Sequence, residues 1–224
     1  MFLVNDMDIK NFKGAIFDLD GTLLDSMHIW HDVDEEFFRR RNLKVTPEYI
    51  EVIKNMHLKA AAVYTKEKYN IKENIDEIVD EWLDLCAQGY LNNVDLKSGV
   101  FEYLEALHKK GVKMAFATAS EKQVCEDVLK KHKIFDFFTS YAYVSEINIG
   151  KTEPDIYLLA AERIGVSPKD CIVFEDIIEG IRGAKKGNFT VCGVYDKSSD
   201  KDQEIIKETA DYHIKSFEEL LFTK

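Results

Sequence analysis

Hydrophobic spacing divides the chain into three stretches. Ala15, Ile16 and Phe17 form a continuous apolar run, the signature of a short buried strand. From about residue 25 to 94 the spacing is helical. Trp30, Val33 and Phe37 share one face of a helix expected over 27–41. Thr46-Pro47 caps and opens a second helix, with Ile50 and Ile53 on its apolar face. Ala60 to Tyr64 lie on a third, and Ile75, Ile78, Val79, Trp82 and Cys86 mark a further long one. No convincing strand interrupts this block. It reads as a helical bundle inserted after the first strand, a lid or cap.

From about residue 97 helix and strand alternate. Val100, Leu104 and Leu107 form a helix face that ends near Gly111, and 112–117 is a strand. Ser120 and Gln123 have the spacing of a capping box. A strand is expected over 137–144 and a helix over 152–165, with Pro154 in its first turn. Then come a strand at 171–174, a helix at 177–186 and a strand at 190–194, and Ser216 with Glu219 caps the last helix. Gly187 or Asn188 supplies a left-handed turn after the 177–186 helix. Short apolar strands alternating with helices predict an α/β fold, a doubly wound (Rossmann-like) parallel sheet covered on both faces. Its core would comprise 1–24 and 95–224, with an inserted α-helical cap over 25–94. Such sheets bind ligands at the carboxyl ends of their strands.

Composition narrows the partners. A formal charge of −11 over 224 residues argues against nucleic acid or an anionic membrane, which are gripped by excess Lys and Arg. Cys86, Cys125, Cys171 and Cys192 lie far apart, which fits a reducing compartment better than disulfides or zinc. The first residues lack the basic region and apolar core of a signal peptide. No apolar run approaches the roughly 20 residues that span a bilayer. A cytoplasmic protein with a small-molecule partner is expected, as a monomer or weak homodimer.

Candidate chemistry falls at the strand ends. Asp18 and Asp20 follow the first strand two residues apart, so in extended backbone they point to one side. Gly21 then permits a tight turn. The pair suits a divalent metal and a phosphoryl group, or a loop in which both acids bond local backbone. Thr118-Ala119-Ser120 offers a hydroxyl and backbone N–H groups at a helix start, either a phosphate cradle or an ordinary helix cap. Lys151 precedes another helix and is placed to neutralise a phosphoryl oxygen or a carboxylate, whereas Lys185-Lys186 reads as a solvated face. Glu175-Asp176 leaves the 171–174 strand, and paired acids there require a cation opposite. Mg²⁺ suits one or two carboxylates plus phosphate and water.

With Asp18-Leu-Asp20-Gly-Thr22, Thr118, Lys151 and Glu175-Asp176 in this order, the chain resembles the haloacid dehalogenase superfamily over essentially its whole length. Within it the chain looks most like the β-phosphoglucomutase-like branch of small phosphatases and mutases. The resemblance implies that Asp18 attacks phosphorus to form an aspartyl-phosphate. It makes Asp20 the acid that protonates the leaving oxygen and then the base for water. It places Mg²⁺ on Asp18, Asp20 (through its backbone carbonyl), Asp176 and Glu175, and the phosphoryl oxygens on Thr118, Ala119 and Lys151. An acid at position 20 also favours phosphate-ester chemistry over dehalogenation. The cap would choose the substrate, with Ser26, Trp30, His31, Lys54, His57 and Lys59 as candidates.

The expected activity is a Mg²⁺-dependent phosphomonoesterase of a small phosphorylated metabolite such as a sugar phosphate. A hexose-phosphate mutase is the alternative. Two departures from the branch stand out. Ile177-Ile178 replaces a Ser and small residue after the acidic pair, and 54–59 lacks the Gly-containing turn with Arg found in sugar-phosphate mutases. A receiver-like phosphorylation switch also uses Asp, Thr and Lys at strand ends, but Asp20 and the long insertion argue against it.

Overall fold

The computed structural model describes residues 12–53, 56, 58–120, 122–147 and 149–221. In chain order, β1 (Gly14–Phe17) and β2 (Leu24–Asp25) precede four helices: α1 (Ile29–Arg40), α2 (Pro47–Ile53), α3 (Leu58–Tyr69) and α4 (Ile75–Asn93). β3 (Asp95–Leu96) leads into α5 (Val100–Lys109), β4 (Lys113–Thr118), α6 (Lys122–Lys131), β5 (Ser140–Tyr143), α7 (Val144–Ile147) and α8 (Asp155–Ile164). β6 (Cys171–Glu175), α9 (Ile178–Lys186), β7 (Thr190–Val194), α10 (Gln203–Thr209), β8 (Tyr212–Ile214) and α11 (Glu218–Leu221) complete the chain. The chain divides into two compact units, Met1–Met27 with Asp95–Lys224, and His28–Val94. Asp25, Ser26 and Met27 fall with the sheet-bearing unit, where Leu24 and Asp25 pair antiparallel with Leu96 and Asp95.

The first unit is built on a six-stranded sheet of order β5-β4-β1-β6-β7-β8, every neighbouring pair parallel. β1 is the point where the chain's progress across the sheet reverses, the place where such folds open a crevice. Register gives the two faces different contents. Ile16 is level with Ala115 and Val173, and this row packs on Ile156, Tyr157 and Ala160 of α8 and on Ile181 and Ala184 of α9. Phe17 is level with Phe116 and Phe174, and this row faces the opposite way. Phe17 stacks on Phe174 at 4.8 Å between ring centroids and meets Tyr103, Phe138 and Phe217 at its edges. Aromatic area of this size dominates a core's burial free energy.

The second unit packs α1 and α3 on α4. Phe37 and Phe38 of α1 meet Trp82, Tyr49 and Tyr69 edge to face. The long α4 opens with a complete capping box, in which Asn74 accepts from the Glu77 N–H and Glu77 accepts from the Asn74 N–H.

Local pattern failed at four places. The 137–144 strand shortens to Ser140–Tyr143, because Phe135–Phe137 is a 3₁₀ turn that delivers Phe138 onto Phe17 and Phe116. The β2–β3 pair has two residues per strand, too few for any periodicity. β8 is an added edge strand whose Tyr212 and His213 are only half buried, so its pattern is weak. The Ser120/Gln123 capping box does not form: Gln123 donates to Asp127 and the Ser120 hydroxyl donates to Asp20. The left-handed residue after α9 is Asn188, at φ 61°, rather than Gly187. No helix among the described residues is long and apolar enough to cross a membrane.

The Tyr103 hydroxyl is buried in the aromatic layer with no hydrogen-bond partner among the described residues. Removing an unsatisfied buried donor relieves its desolvation cost. Tyr103→Phe is therefore expected to raise stability by about 1 kcal/mol, read as a higher urea midpoint; an unchanged or lower midpoint counts against the orphaned hydroxyl.

Candidate active site

Strand register assembles the site. Because Phe17 is level with Phe174, the next residues, Asp18 and Glu175, come side by side at the strand ends. The Asp18 N–H continues the ladder to the Phe174 carbonyl at 3.0 Å. Alternation turns both acids toward the face covered by α8 and α9. Lys151, just ahead of α8, places its ammonium between them, donating to Asp18 Oδ1 and, at 2.6 Å, to Glu175 Oε1. All three side chains are buried, that of Lys151 to 8% exposure.

Lys151 owes its position to α9. Gly183 of that helix lies so close to the Lys151 carbonyl oxygen that any β-carbon would collide with it. Lys186 of the same helix donates to the Thr152 carbonyl at 2.9 Å and to Glu153 at 2.6 Å. Lys186, its side chain half exposed, is a solvated charge that also clamps the loop, and Lys185 pairs with Asp211.

Glu175 is fully engaged. Its Oε1 accepts from Lys151 and from the buried Tyr157 hydroxyl at 2.8 Å; its Oε2 accepts from the N–H groups of Asp176 at 3.1 Å and Ile177 at 3.4 Å. Asp176 is different. Thr22 donates to its Oδ1 at 3.1 Å, while its buried Oδ2 has no partner among the described residues. Gly21, at φ 81°, packs against that carboxylate, where a β-carbon would overlap it. Asp20 lies one turn away, with Oδ1 accepting from Ser26 at 2.6 Å and Oδ2 from Ser120. Thr118, buried at the end of β4, accepts the Ser120 N–H at 3.0 Å, which leaves its hydroxyl proton available; Ala119 follows it, exposed.

Oxygens of Asp18, Glu175 and Asp176 all lie within 4.8 Å of one another. Burial pushes Asp18 up to about 7, with Glu175 and Asp20 adding to the rise and Lys151 opposing it. Burial also drives Asp176 well above the ordinary carboxylate range, again with its acidic neighbours. For Lys151, burial opposes the charge, but Asp18 and Glu175 outweigh it and hold the ammonium above its usual value. Three carboxylates thus face one ammonium, and the unpartnered Asp176 oxygen marks where further positive charge fits. Hard oxygen donors in this number suit Mg²⁺. The Asp20 carboxylate, held by two serines, lies outside this cluster.

Of the expected substrate-selecting residues, Ser26 reaches Asp20. Trp30 is exposed, His31 faces Glu35 and Lys59 pairs with Asp76, while Lys54 and His57 lie outside the described residues. Tyr157 carries no local signal, because its hydroxyl sits in an otherwise apolar helix face, and Ser120 has in sequence the look of a helix cap. No local pattern separates a buried hydroxyl that finds a carboxylate from one that merely packs.

Residues 15–194 match the haloacid dehalogenase-like hydrolase family. The chain belongs to it. This hydrolase is 30% identical over 216 residues to hexitol phosphatase A of Escherichia coli, covering 95% of this chain and 94% of that one. It is 24% identical over 173 residues to the phosphorylated carbohydrates phosphatase of Thermotoga maritima, covering 77% and 80%. Among solved structures, a Thermotoga maritima protein provisionally called a β-phosphoglucomutase superposes with a TM-score of 0.84 at 23% identity, covering 93% and 97%. That likeness concerns the fold. The chain is an enzyme of the phosphatase kind.

Two expectations follow. Gly183→Ala should displace Lys151 and lower activity while α9 keeps its far-ultraviolet helicity; full activity in the variant would detach Lys151 from this packing. For the second, the metal-free fold keeps a proton on Asp18 up to about 7, whereas the unfolded chain loses it near pH ~4. This group's share of metal-free stability therefore falls as pH rises through that window. A cation displaces the proton, so the gain in Tm on adding Mg²⁺ should be larger at pH ~8 than at pH ~5. An equal gain at both would remove Asp18 from the metal.

Proposed function

We propose that this hydrolase is a Mg²⁺-dependent phosphomonoesterase of a small phosphorylated polyol or sugar, working through an aspartyl-phosphate on Asp18. The observation that supports it most is the convergence of the Asp18 carboxylate, the Lys151 ammonium and the unpartnered Asp176 oxygen at the neighbouring ends of β1 and β6, with Asp20 beside them. The polyol and sugar class comes from relatives named for hexitol and phosphorylated carbohydrate substrates.

In this reading Asp18 and Asp176, with the Asp20 backbone carbonyl, hold Mg²⁺, and Glu175 completes the acidic wall behind Lys151. The ion supplies Lewis-acid neutralisation of the phosphoryl oxygens. Lys151 holds one oxygen of Asp18 and keeps the carboxylate aimed, so that the other attacks phosphorus. The ester bond to the leaving oxygen breaks as Asp20 gives that oxygen a proton. Asp20, then a carboxylate, takes a proton from water, whose oxygen attacks phosphorus; the bond between the Asp18 oxygen and phosphorus breaks, inorganic phosphate leaves and the Asp18 carboxylate is restored. Thr118, with its free hydroxyl proton, and the backbone at Ala119 hold the phosphoryl oxygens in place, so the acceleration is chiefly positioning and electrostatics. Ser26 and Ser120 keep Asp20 oriented toward the reacting oxygen.

The test is phosphate release from hexitol and hexose phosphates with Mg²⁺. Asp18→Asn should abolish turnover, and activity that survives it ends the nucleophile role. Asp20→Ala should lose about 10²–10⁴-fold on an alkyl phosphate, the range of general acid catalysis, and much less on p-nitrophenyl phosphate, whose leaving group needs no proton. Equal losses on both would deny Asp20 the acid role. With β-glucose 1-phosphate and a trace of bisphosphate, glucose 6-phosphate appearing ahead of free phosphate would replace the hydrolase reading with a mutase.

A further inference from the structure

Lys97 follows β3 and has no counterpart in the motif set above. The β2–β3 pair brings it in: Leu96 is level with Leu24, and the Lys97 N–H donates to the Leu23 carbonyl at 2.9 Å. Its side chain is 14% exposed and its ammonium makes three hydrogen bonds. They run to the Gly21 carbonyl at 2.6 Å, the Tyr195 carbonyl at 2.6 Å and Asp196 Oδ2 at 2.9 Å. An ammonium has three protons, so every donor is used. Asp196 is anchored independently, its Oδ1 accepting from the Ser198 N–H at 2.8 Å and hydroxyl at 2.7 Å.

Two of these acceptors sit at the end of β7 and form a fixed base. The third belongs to the turn that carries the candidate chemistry. Gly21 lies directly between Asp20 and Thr22, it packs on the Asp176 carboxylate, and Thr22 bonds Asp176. The turn has backbone bonds of its own: the Thr22 N–H donates to the Leu19 carbonyl at 3.2 Å and the Gly21 N–H to the Leu24 carbonyl at 2.9 Å, while the glycine at φ 81° adds little conformational preference to them. The partly buried Lys97 ammonium adds a bond on the carbonyl side of that peptide and ties it to a distant strand end.

We propose that Lys97 is a positioning residue: it ties the Gly21 carbonyl to the end of β7 and thereby sets the approach of the Asp18–Thr22 turn to Asp176. It touches no reacting atom. The kinetic arm rests on the phosphomonoesterase reading; the geometric arm does not.

The experiment compares Lys97→Met with Asp196→Asn in the full chain. Asp196→Asn weakens the charge beneath Lys97 but leaves an oxygen acceptor and the Gly21 bond. Lys97→Met should lower kcat on a hexitol phosphate by about 10–100-fold at saturating Mg²⁺, the range for supporting residues around metal sites, with KM little changed. Amide hydrogen exchange should rise in the peptide containing Asp18 to Leu24 and stay unchanged in β4. Asp196→Asn should melt lower yet keep near-wild-type kcat and exchange in that peptide. If Lys97→Met does not fold, Lys97→Arg keeps the charge but cannot set a planar fork on the same three acceptors, and it should show the same two changes in smaller measure. A folded Lys97 variant with wild-type kcat and unaltered exchange of the turn overturns the proposal, as does an equal kcat loss in Asp196→Asn. A wild-type protein that releases no phosphate from any ester sinks the phosphomonoesterase reading alone; exchange in the turn then decides for or against Lys97.

Discussion

Burial of carboxylates beside one another governs this molecule. Asp18, Glu175 and Asp176 converge with their oxygens within 4.8 Å, and one ammonium stands against them. Left in an apolar interior, such a group would shed charge by taking up protons. Asp18 and Asp176 show that tendency, both held well above ordinary carboxylates. The arrangement is unfavourable for folding, and in the proposed reaction it becomes useful, since a cation and an anionic phosphoryl group would find opposite needs met in one place.

The surrounding structure divides the labour. Glu175 has every strong acceptor position filled by Lys151, Tyr157 and two backbone N–H groups, so it serves as a fixed hub. Asp176 keeps an open oxygen, and Asp20 is steadied by two hydroxyls outside the acidic cluster. Acids drawn from two strand ends thus acquire three environments. In the proposed reaction these become three roles: aiming the nucleophile's lysine, holding the ion, and moving the proton.

Precision of this kind needs a rigid base. The aromatic layer of Phe17, Phe174, Tyr103 and Phe217 locks β1 to β6 from one side. Small and branched residues on the other side let α8 and α9 approach closely enough for Gly183 to meet the Lys151 loop. Large rings on one face and close helices on the other have separate tasks, the first fixing register and the second fixing what stands at the strand ends.

Much of this was legible in the chain itself. Apolar runs such as 171–174 and 190–194 are strands because nothing but a sheet interior buries them, and the Glu175-Asp176 pair at the exit of the first announces chemistry. Elements whose existence depends on a distant partner were not legible: the two-residue pair of β2 and β3, the edge strand β8, and the turn that carries Phe138 inward. The same division holds at the site. Motif spacing identified Asp18, Lys151, Glu175 and Asp176 as residues that belong together, because each follows a recognisable strand or precedes a helix. Which oxygen remains open, which hydroxyl reaches Glu175 and which ammonium secures Gly21 are questions of side-chain contact between segments far apart in sequence, and only packing in three dimensions decides them.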